Sequence, residues 1–415
     1  MNEEQNINQL PKDWKWVKLG DVCEKMSNGA NAKQSDDKIG FPISRIETIW
    51  NETIDLGRVK YIEENDPAFV EKYSLKKDDI LFSHINSDIH LGKTAIFKNQ
   101  TKTLIHGINL LLIRMTKDAL ADFFNYQFRY KRRRGEFISI AQKSVNQSSI
   151  NQPKLKNIDF VLPPNLTQQA IVSKIEELFS ELDKGIENLR IAQQQLKTYR
   201  QSVLNTLITG KNYQTIESVL KRLDQGWSPR CENEASTDKT EWAVIKTSAV
   251  QYGHFLEFEN KRLPKELKPR EQHELMEGDI LITRAGPRVR VGVCCMVRHT
   301  RPKLINCDKV YRIKVNNKIV TPEYFEYILN TPKYQDEIEK MKSGISDSGL
   351  NLTQKAFLQI TIPVPTIDEQ NKLVMEIESR LSVPDKMEES ITQSLQQAEA
   401  LRQSILKKAF EGRLV

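Results

Sequence analysis

Residues Gln168–Gly210 read QQAIVSKIEELFSELDKGIENLRIAQQQLKTYRQSVLNTLITG, and residues Gln370–Gly412 read QNKLVMEIESRLSVPDKMEESITQSLQQAEALRQSILKKAFEG. The two stretches align without a gap, and across Thr167–Lys211 15 of 45 positions are identical. Most other positions exchange apolar for apolar or polar for polar. In the first copy Ile171, Ile175, Leu178, Leu182, Ile186, Leu189, Leu196, Val203 and Leu207 recur at three- and four-residue steps. The second copy has Leu373, Ile377, Leu381, Ile391, Leu395, Ala398, Ile405 and Ala409. This spacing predicts an apolar stripe along one face of a helix. Two such helices, rich in Gln, Glu and Lys elsewhere, predict an antiparallel coiled coil within the chain. Ile186, Leu189 and Leu196 are expected against Ile391, Leu395 and Ala398, with Val203 and Ile405 further along the seam. Pro384 predicts a short helix before it and a long one from about Asp385 to Phe410, and by symmetry a bend near Glu181–Lys184. A helix of ~28 residues spans about 42 Å, enough to hold two domains about one DNA turn, ~34–36 Å, apart. Gly210 and Gly412 are placed to cap the helix ends.

A repeat of this length exceeds any solenoid unit, whose period lies at roughly 20–50 residues. It means two copies of a domain plus a helix, with an approximate internal two-fold, and duplex DNA is the commonest two-fold partner. The repeat extends upstream of the helices. Asp79–Ser83 matches Asp279–Thr283, Gly92 falls on Gly292, Leu104-Ile105 on Leu304-Ile305, Ile113-Arg114 on Ile313-Lys314, and Ile150-Asn151 on Leu350-Asn351. Each is an apolar, β-rich run beside turn residues, the pattern of a strand. Between these islands the copies diverge, as expected if one scaffold carries two recognition surfaces. Proline-bounded segments, Phe160–Pro164 and Ile360–Pro365, mark the exits into the helices. The expected fold class is α+β: two mixed α/β domains in pseudo-two-fold arrangement, joined by two long helices in an antiparallel coiled coil. The expected boundaries are 1–165 and 212–366 for the domains, 166–211 and 367–415 for the helical spacers.

The 415-residue chain is 39% apolar and 28% charged, with a net charge of +7, the composition of a soluble chain of two or three domains. No run approaches the ~18 apolar residues of a membrane span. The start, Met1–Asn6, lacks the basic and apolar regions of a signal peptide, so a cytoplasmic location is expected. The five cysteines (Cys23, Cys231, Cys294, Cys295, Cys307) include no C-x-x-C pair and read as reduced, buried thiols. No histidine sits at metal-ligand spacing, so no metal is expected. Gly92-Lys93-Thr94 ends like a phosphate loop, but Ser87 stands where that loop needs glycine. Pro384-Asp385-Lys386 lacks the second acid–lysine pair of a nuclease. No glycine-rich dinucleotide loop, methyltransferase Asn-Pro-Pro-aromatic run or Ser/His/Asp arrangement occurs. The chain reads as a binder that lends geometry to catalysis by others.

Gln168–Ser180 (Gln-x-x-Ile-Val-x-x-Ile-Glu-x-Leu-Phe-Ser), Leu182–Glu187 (Leu-Asp-Lys-Gly-Ile-Glu), Arg200–Leu204 (Arg-Gln-Ser-Val-Leu) and the closing Leu401–Val415 resemble the specificity subunit of Type I restriction–modification systems. The resemblance covers essentially the whole chain. It implies two target-recognition domains, each reading one half of a bipartite, non-palindromic DNA sequence, with the paired helices as a ruler. It further implies two modification (methyltransferase) subunits docked on the helices and bringing S-adenosylmethionine. Motor-nuclease restriction subunits would use ATP and Mg. No cofactor is expected in this chain, and no catalysis.

Base readout needs Arg, Lys, Asn, Gln, Ser or Thr on loops, and backbone contacts need basic or hydroxyl groups. The loops after the matched strands, Ser83-His84-Ile85-Asn86-Ser87 and Thr283-Arg284-Ala285-Gly286-Pro287-Arg288, occupy equivalent places and differ completely. From these and their surroundings Ser83, His84, Asn86, Lys93, Arg284, Arg288 and Arg290 are candidates. The glycine turns at Ser27–Gly29 and Gln225–Trp227 add Lys33, Trp227 and Arg230. The polar runs Lys143–Asn151 and Lys342–Asn351, read as opening each domain's final strand, add Gln147, Asn151, Lys342, Ser343 and Asn351. The basic cluster Arg129, Lys131, Arg132, Arg133 and Arg134 is a candidate phosphate contact. Two other function classes compete: a coiled-coil scaffold that reads no DNA, and a fused methyltransferase–nuclease. Steep salt dependence of duplex binding separates the first, and failure to bind S-adenosylmethionine separates the second.

Overall fold

The computed structural model describes residues 10–99, 103–144, 147–208, 210 and 212–415. Met1–Asn6, Val145 and Asn146 of the first polar run, and Thr209 and Lys211 at the end of the first helical repeat lie outside these. The chain forms two compact units, one built from Met1–Leu189 and Gln393–Val415, the other from Arg190–Thr392. Each long helix therefore contributes one half to each unit.

In the first unit β1 (Cys23–Asn28), β2 (Ile80–Ser83), β3 (Thr94–Ile96) and β4 (Leu110–Met115) form a sheet ordered β1-β4-β2-β3. In the second, β5 (Leu220–Gln225), β6 (Ile280–Thr283), β7 (Cys294–Met296) and β8 (Val310–Val315) repeat that order as β5-β8-β6-β7. The registers agree residue for residue: Ile80 pairs with Ile113 and Ile96, Ile280 with Ile313 and Met296. Both edge strands carry a register shift at the same place, beside Arg114/Met115 and Leu220/Arg222. The central runs are apolar on both faces because both faces are covered. Ile80, Phe82, Leu111 and Ile113 face one cluster, while Leu81, Ala95, Leu110 and Leu112 face another. Ile280, Ile282, Tyr311 and Ile313 face one cluster of the second unit, and Leu281, Cys295 and Val310 face its other.

The strand Asp159–Leu162 pairs with Lys15–Lys18, and Thr361–Pro363 pairs with Tyr213–Thr215. Each leads into a long helix, Asn165–Leu207 and Ile367–Phe410. The entrance is fixed identically by a fully buried glutamine. Gln168 accepts from the Leu120 amide (2.8 Å) and donates to the carbonyls of Asp118 (2.8 Å) and Pro163 (2.9 Å). Gln370 accepts from the Thr321 amide and donates to the carbonyls of Ile319 and Pro365, each at 2.9 Å.

The two helices pair antiparallel in each unit. In the second, Val203 and Leu204 pack with Ile377 and Leu381, and Arg200 bridges Asp385 (2.5 Å) and Glu388 (2.7 Å). In the first, Arg402 lies over the Phe179 ring at 4.9 Å and ion-pairs with Asp183, and Ile405 joins the cluster of Ile171, Ile175 and Phe179. Leu196, Ile391 and Ala398 are buried; Ile186, Leu189 and Leu395 are half-buried. The expected break at Pro384 does not occur, since the helix runs through it. The proline sits on the buried stripe, where packing and the Arg200 bridges just beyond it offset the roughly 3 kcal/mol that an internal proline costs. The first helix also runs unbroken through 181–184. Gly412 (φ +68°) closes a Schellman cap: its amide faces the Ala409 carbonyl, and the Arg413 amide donates to Lys408 at 2.8 Å. Gly210, by contrast, lies beyond the helix end at Leu207 and is needed for close approach to Pro363, which a Cβ would meet at 2.9 Å. Cys294, Cys295 and Cys307 are buried, Cys23 and Cys231 half-buried. Among the described residues no helix is long and apolar enough to cross a membrane.

Candidate nucleic-acid interface

Beyond the central strand both units build the same device from different residues. In the first, Ile85-Asn86 pairs antiparallel with Ser148-Ser149, and the Ile150 amide donates to the His84 carbonyl at 2.9 Å. In the second, Ala285-Gly286 pairs with Leu350-Asn351, and the Leu352 amide donates to the Arg284 carbonyl at 2.7 Å. The post-strand loop and the later polar run, distant in sequence, thus share one surface in each unit. The polar runs do not open the final strands. Short helices intervene, Gln152–Lys156 capped by Asn151 and Gln354–Leu358 capped by Thr353. Ile150 therefore corresponds to Leu352 rather than Leu350, because the second copy has two more residues between the last sheet strand and this pairing. Asn351 also exchanges backbone hydrogen bonds with Ser343, and Gln147 receives the Ser144 amide on its carbonyl.

A concavity of about 530 Å³ opens beside the first pairing, lined by Asn28, His84, Ser149, Asn151, Gln152 and Lys156 among others. It joins three candidate segments: the Ser27–Gly29 turn, the post-strand loop and the polar run. Gly29 is structural, since a Cβ there would meet the Gly107 carbonyl oxygen at 2.2 Å, and Gly226 has the same close approach to Asn306 at 2.0 Å. Asn28 and Gln152 bond each other at 3.1 Å. His84 is only 7% exposed, and its Nδ1 has no hydrogen-bond partner in the protein. Burial holds its pKa down at about 4, partly offset by the Asn109 backbone, so the ring is neutral at physiological pH. Gln152 and Lys156 were not legible as candidates, because nothing local distinguishes them from other polar turn residues.

Other candidates prove to be braces. Ser83 and Asn86 are buried and bond each other at 3.2 Å. The basic cluster Arg129–Arg134 does not present a free basic face, since each of its cations has a partner within the chain. Arg129 bridges Glu52 (2.9 Å), and Lys131 reaches Glu136 (2.8 Å). Arg132 donates to the carbonyls of Leu91 (3.1 Å) and Ile89, Arg133 pairs with Glu399, and Arg134 with Glu136 (3.3 Å). The helix Ala121–Arg133 ends over the post-strand turn, and Arg132 satisfies two of that turn's carbonyls. In the second unit Arg284 donates from Nε to the Asp308 carbonyl (2.8 Å) and lies over Tyr311. Arg288 bridges Glu339 (2.5 Å) and Asp347 (3.0 Å); Lys342 bonds Glu339 (2.5 Å) and the Arg288 carbonyl (2.8 Å). Trp227 packs into the core beneath Arg270. Lys93 and Arg290 are half-buried beside the post-strand turns, while Lys33 and Arg230 lie exposed in loops after the glycine turns.

The family model described as the Type I restriction modification DNA specificity domain matches residues 11–190. The chain is 29% identical to a putative type I restriction enzyme MjaX specificity subunit of Methanocaldococcus jannaschii, over 98% of this chain and 95% of that protein. It is 24% identical to the EcoKI specificity subunit of Escherichia coli, over 98% and 90%. A shorter match, 39% identical over 44% of this chain and 31% of the relative, is to the EcoEI specificity subunit of Escherichia coli. Among solved structures, a chain described under complex assembly and conformational transition of the type I R-M system superposes with a TM-score of 0.68 at 17% identity, covering 98% of this chain and 99% of that one. Residues 11–190 thus match the type I DNA specificity domain, and over nearly its whole length the chain is similar to specificity subunits of type I restriction–modification systems.

Proposed function

We propose that this chain is the sequence-reading, non-catalytic subunit of a type I complex, each unit reading one half of a bipartite duplex target. The observation that carries this reading is the shared loop pairing, identical in backbone and different in side chains: Ile85-Asn86 with Ser148-Ser149, Ala285-Gly286 with Leu350-Asn351. A duplicated frame with divergent exposed loops is what two different half-sites require. The two long helices, each shared by both units, set the gap between half-sites and seat two methyltransferase subunits on their outer faces. S-adenosylmethionine, ATP and Mg belong to those partners and to the motor-nuclease subunits. The test is selection of bound sequences from randomised duplexes by the full chain, with binding measured against salt. Two short specified blocks at a fixed spacing, and affinity falling steeply with salt, are expected. A purified chain that binds S-adenosylmethionine or ATP, or selects no sequence, would refute it.

A further inference from the structure

The loops that diverge between the units share one feature beyond their pairing. Ile89 and Val289, at equivalent places, are 75% and 78% exposed. Each sits at the tip of a rigid turn with matching bonds. The amides of His90 and Leu91 bond the Ser87 carbonyl, and those of Arg290 and Val291 bond Pro287. Gly92 donates to the Ser83 carbonyl (2.8 Å) and Gly292 to that of Thr283 (2.7 Å). Both glycines have positive φ, and both approach a helix so closely that a Cβ would meet Phe137 at 2.6 Å or Ile338 at 2.5 Å. Leu91 and Val291 are buried as anchors beside the tips.

The residue before each tip is tied to the neighbouring hairpin with the charges reversed. Asp88 accepts from Ser148 (2.5 Å) and faces Lys143 (3.6 Å); Arg288 pairs with Asp347 and Glu339. A cation from the following helix region also holds the tip's carbonyls, Arg132 on Ile89 and Lys342 on Arg288. Fold and braces thus fix a β-branched aliphatic side chain in solvent twice. Ile89 lies between Asp88 and His90 and Val289 between Arg288 and Arg290, and one such side chain is far too small for a protein interface, whose apolar patches run to hundreds of Å². It matches one small apolar group on a polar partner. The thymine C5-methyl, projecting into the major groove, is that group on duplex DNA.

We infer that Ile89 and Val289 each contact a thymine methyl, one in each half-site. This rests on the DNA-reading function proposed above. Burying one methyl is worth about a fourfold change in affinity. The experiment takes the full chain and its selected duplex, with each thymine replaced in turn by deoxyuridine, against wild type, Ile89→Ala and Val289→Ala. In wild type, one uracil position in each half should weaken binding about fourfold. Ile89→Ala should abolish the sensitivity in one half only, and Val289→Ala in the other, with thermal stability unchanged. Uracil without effect, or both variants retaining full sensitivity, would overturn the inference while leaving sequence-selective binding intact. Absence of any sequence-selective binding would instead refute the underlying function, and the inference with it.

Discussion

Gln168 holds the junction between the first unit's final strand and its long helix, and its replacement should be costly. Its amide satisfies three backbone groups (Leu120 N–H, Asp118 and Pro163 carbonyls), and the side chain is fully buried. Gln168→Leu keeps nearly the same volume, so the cavity penalty is small, but all three groups lose their partner. At about 1 kcal/mol each, the lower end for a stranded buried polar group, the loss is about 3 kcal/mol. With a urea slope of about 2 kcal/mol/M, the unfolding midpoint should fall by about 1.5 M. Fluorescence suits the measurement, because Trp14, Trp16 and Trp50 lie in the first unit and Trp227 and Trp242 in the second. Gln169→Leu, at an exposed position on the same turn, is the control. The same variant should broaden the tolerated gap between half-sites while leaving the sequence of each half unchanged. If Gln168→Leu shifts the midpoint no more than Gln169→Leu does, the lock reasoning is wrong.

His84 makes stability pH-dependent: its folded pKa of about 4 lies below the ~6.5 of the unfolded chain, so its contribution is present above pH 6.5 and lost as pH falls from there through 4. It amounts to up to about 3 kcal/mol, and denaturation midpoints of a His84→Gln variant between pH 7 and 4.5 should slope less than those of wild type. Arg132→Ala frees the Ile89 and Leu91 carbonyls rather than a phosphate; it should blur one half-site and leave the salt slope of DNA binding unchanged, whereas loss of a phosphate contact would reduce that slope by roughly one. Arg284→Ala should relax one half-site in a selection from randomised duplexes, with roughly 1–3 kcal/mol less discrimination where its guanidinium reads guanine. Uniform weakening of all sequences would show that the Asp308 and Tyr311 contacts are its whole role.

Elements that bury an apolar pattern were legible in the sequence. Asp79–Ser83 and Asp279–Thr283 became the paired central strands, and the heptad-like stripes became the paired helices. Pro384 misled because local propensity argued for a break that tertiary packing overrides. The basic cluster misled for a related reason: sequence counts charges but not the partners they meet. Glu52 and Glu399 lie far from the cluster in the chain yet pair with Arg129 and Arg133, while the adjacent Glu136 pairs with both Lys131 and Arg134. The concavity was illegible because Asn28, His84 and Gln152 are joined only by the strand pairing of Ile85 with Ser149. The alignment at Ile150 slipped by two residues where apolar identity was too sparse to fix it.

The braces explain how such a frame tolerates divergent loops. Asp88 and Arg288 occupy the same place with opposite charges, and each finds its complement on the adjoining hairpin, Lys143 and Ser148 for the first and Asp347 for the second, which also pairs with Glu339 on the helix before that hairpin. What the fold requires there is a tie between turn and hairpin, and either polarity supplies it. These pairs are largely exposed and contribute little to stability, so both partners can change together without unfolding the unit. The glycines are different. Gly92 and Gly292 combine positive φ with contact against a helix, so a side chain would be strained twice, and both copies retain glycine. Divergence is therefore cheap at the exposed braces and hairpin surfaces and expensive at the turn's hinge. That distribution of costs lets side chains on the proposed reading surface vary while the backbone that carries them stays fixed.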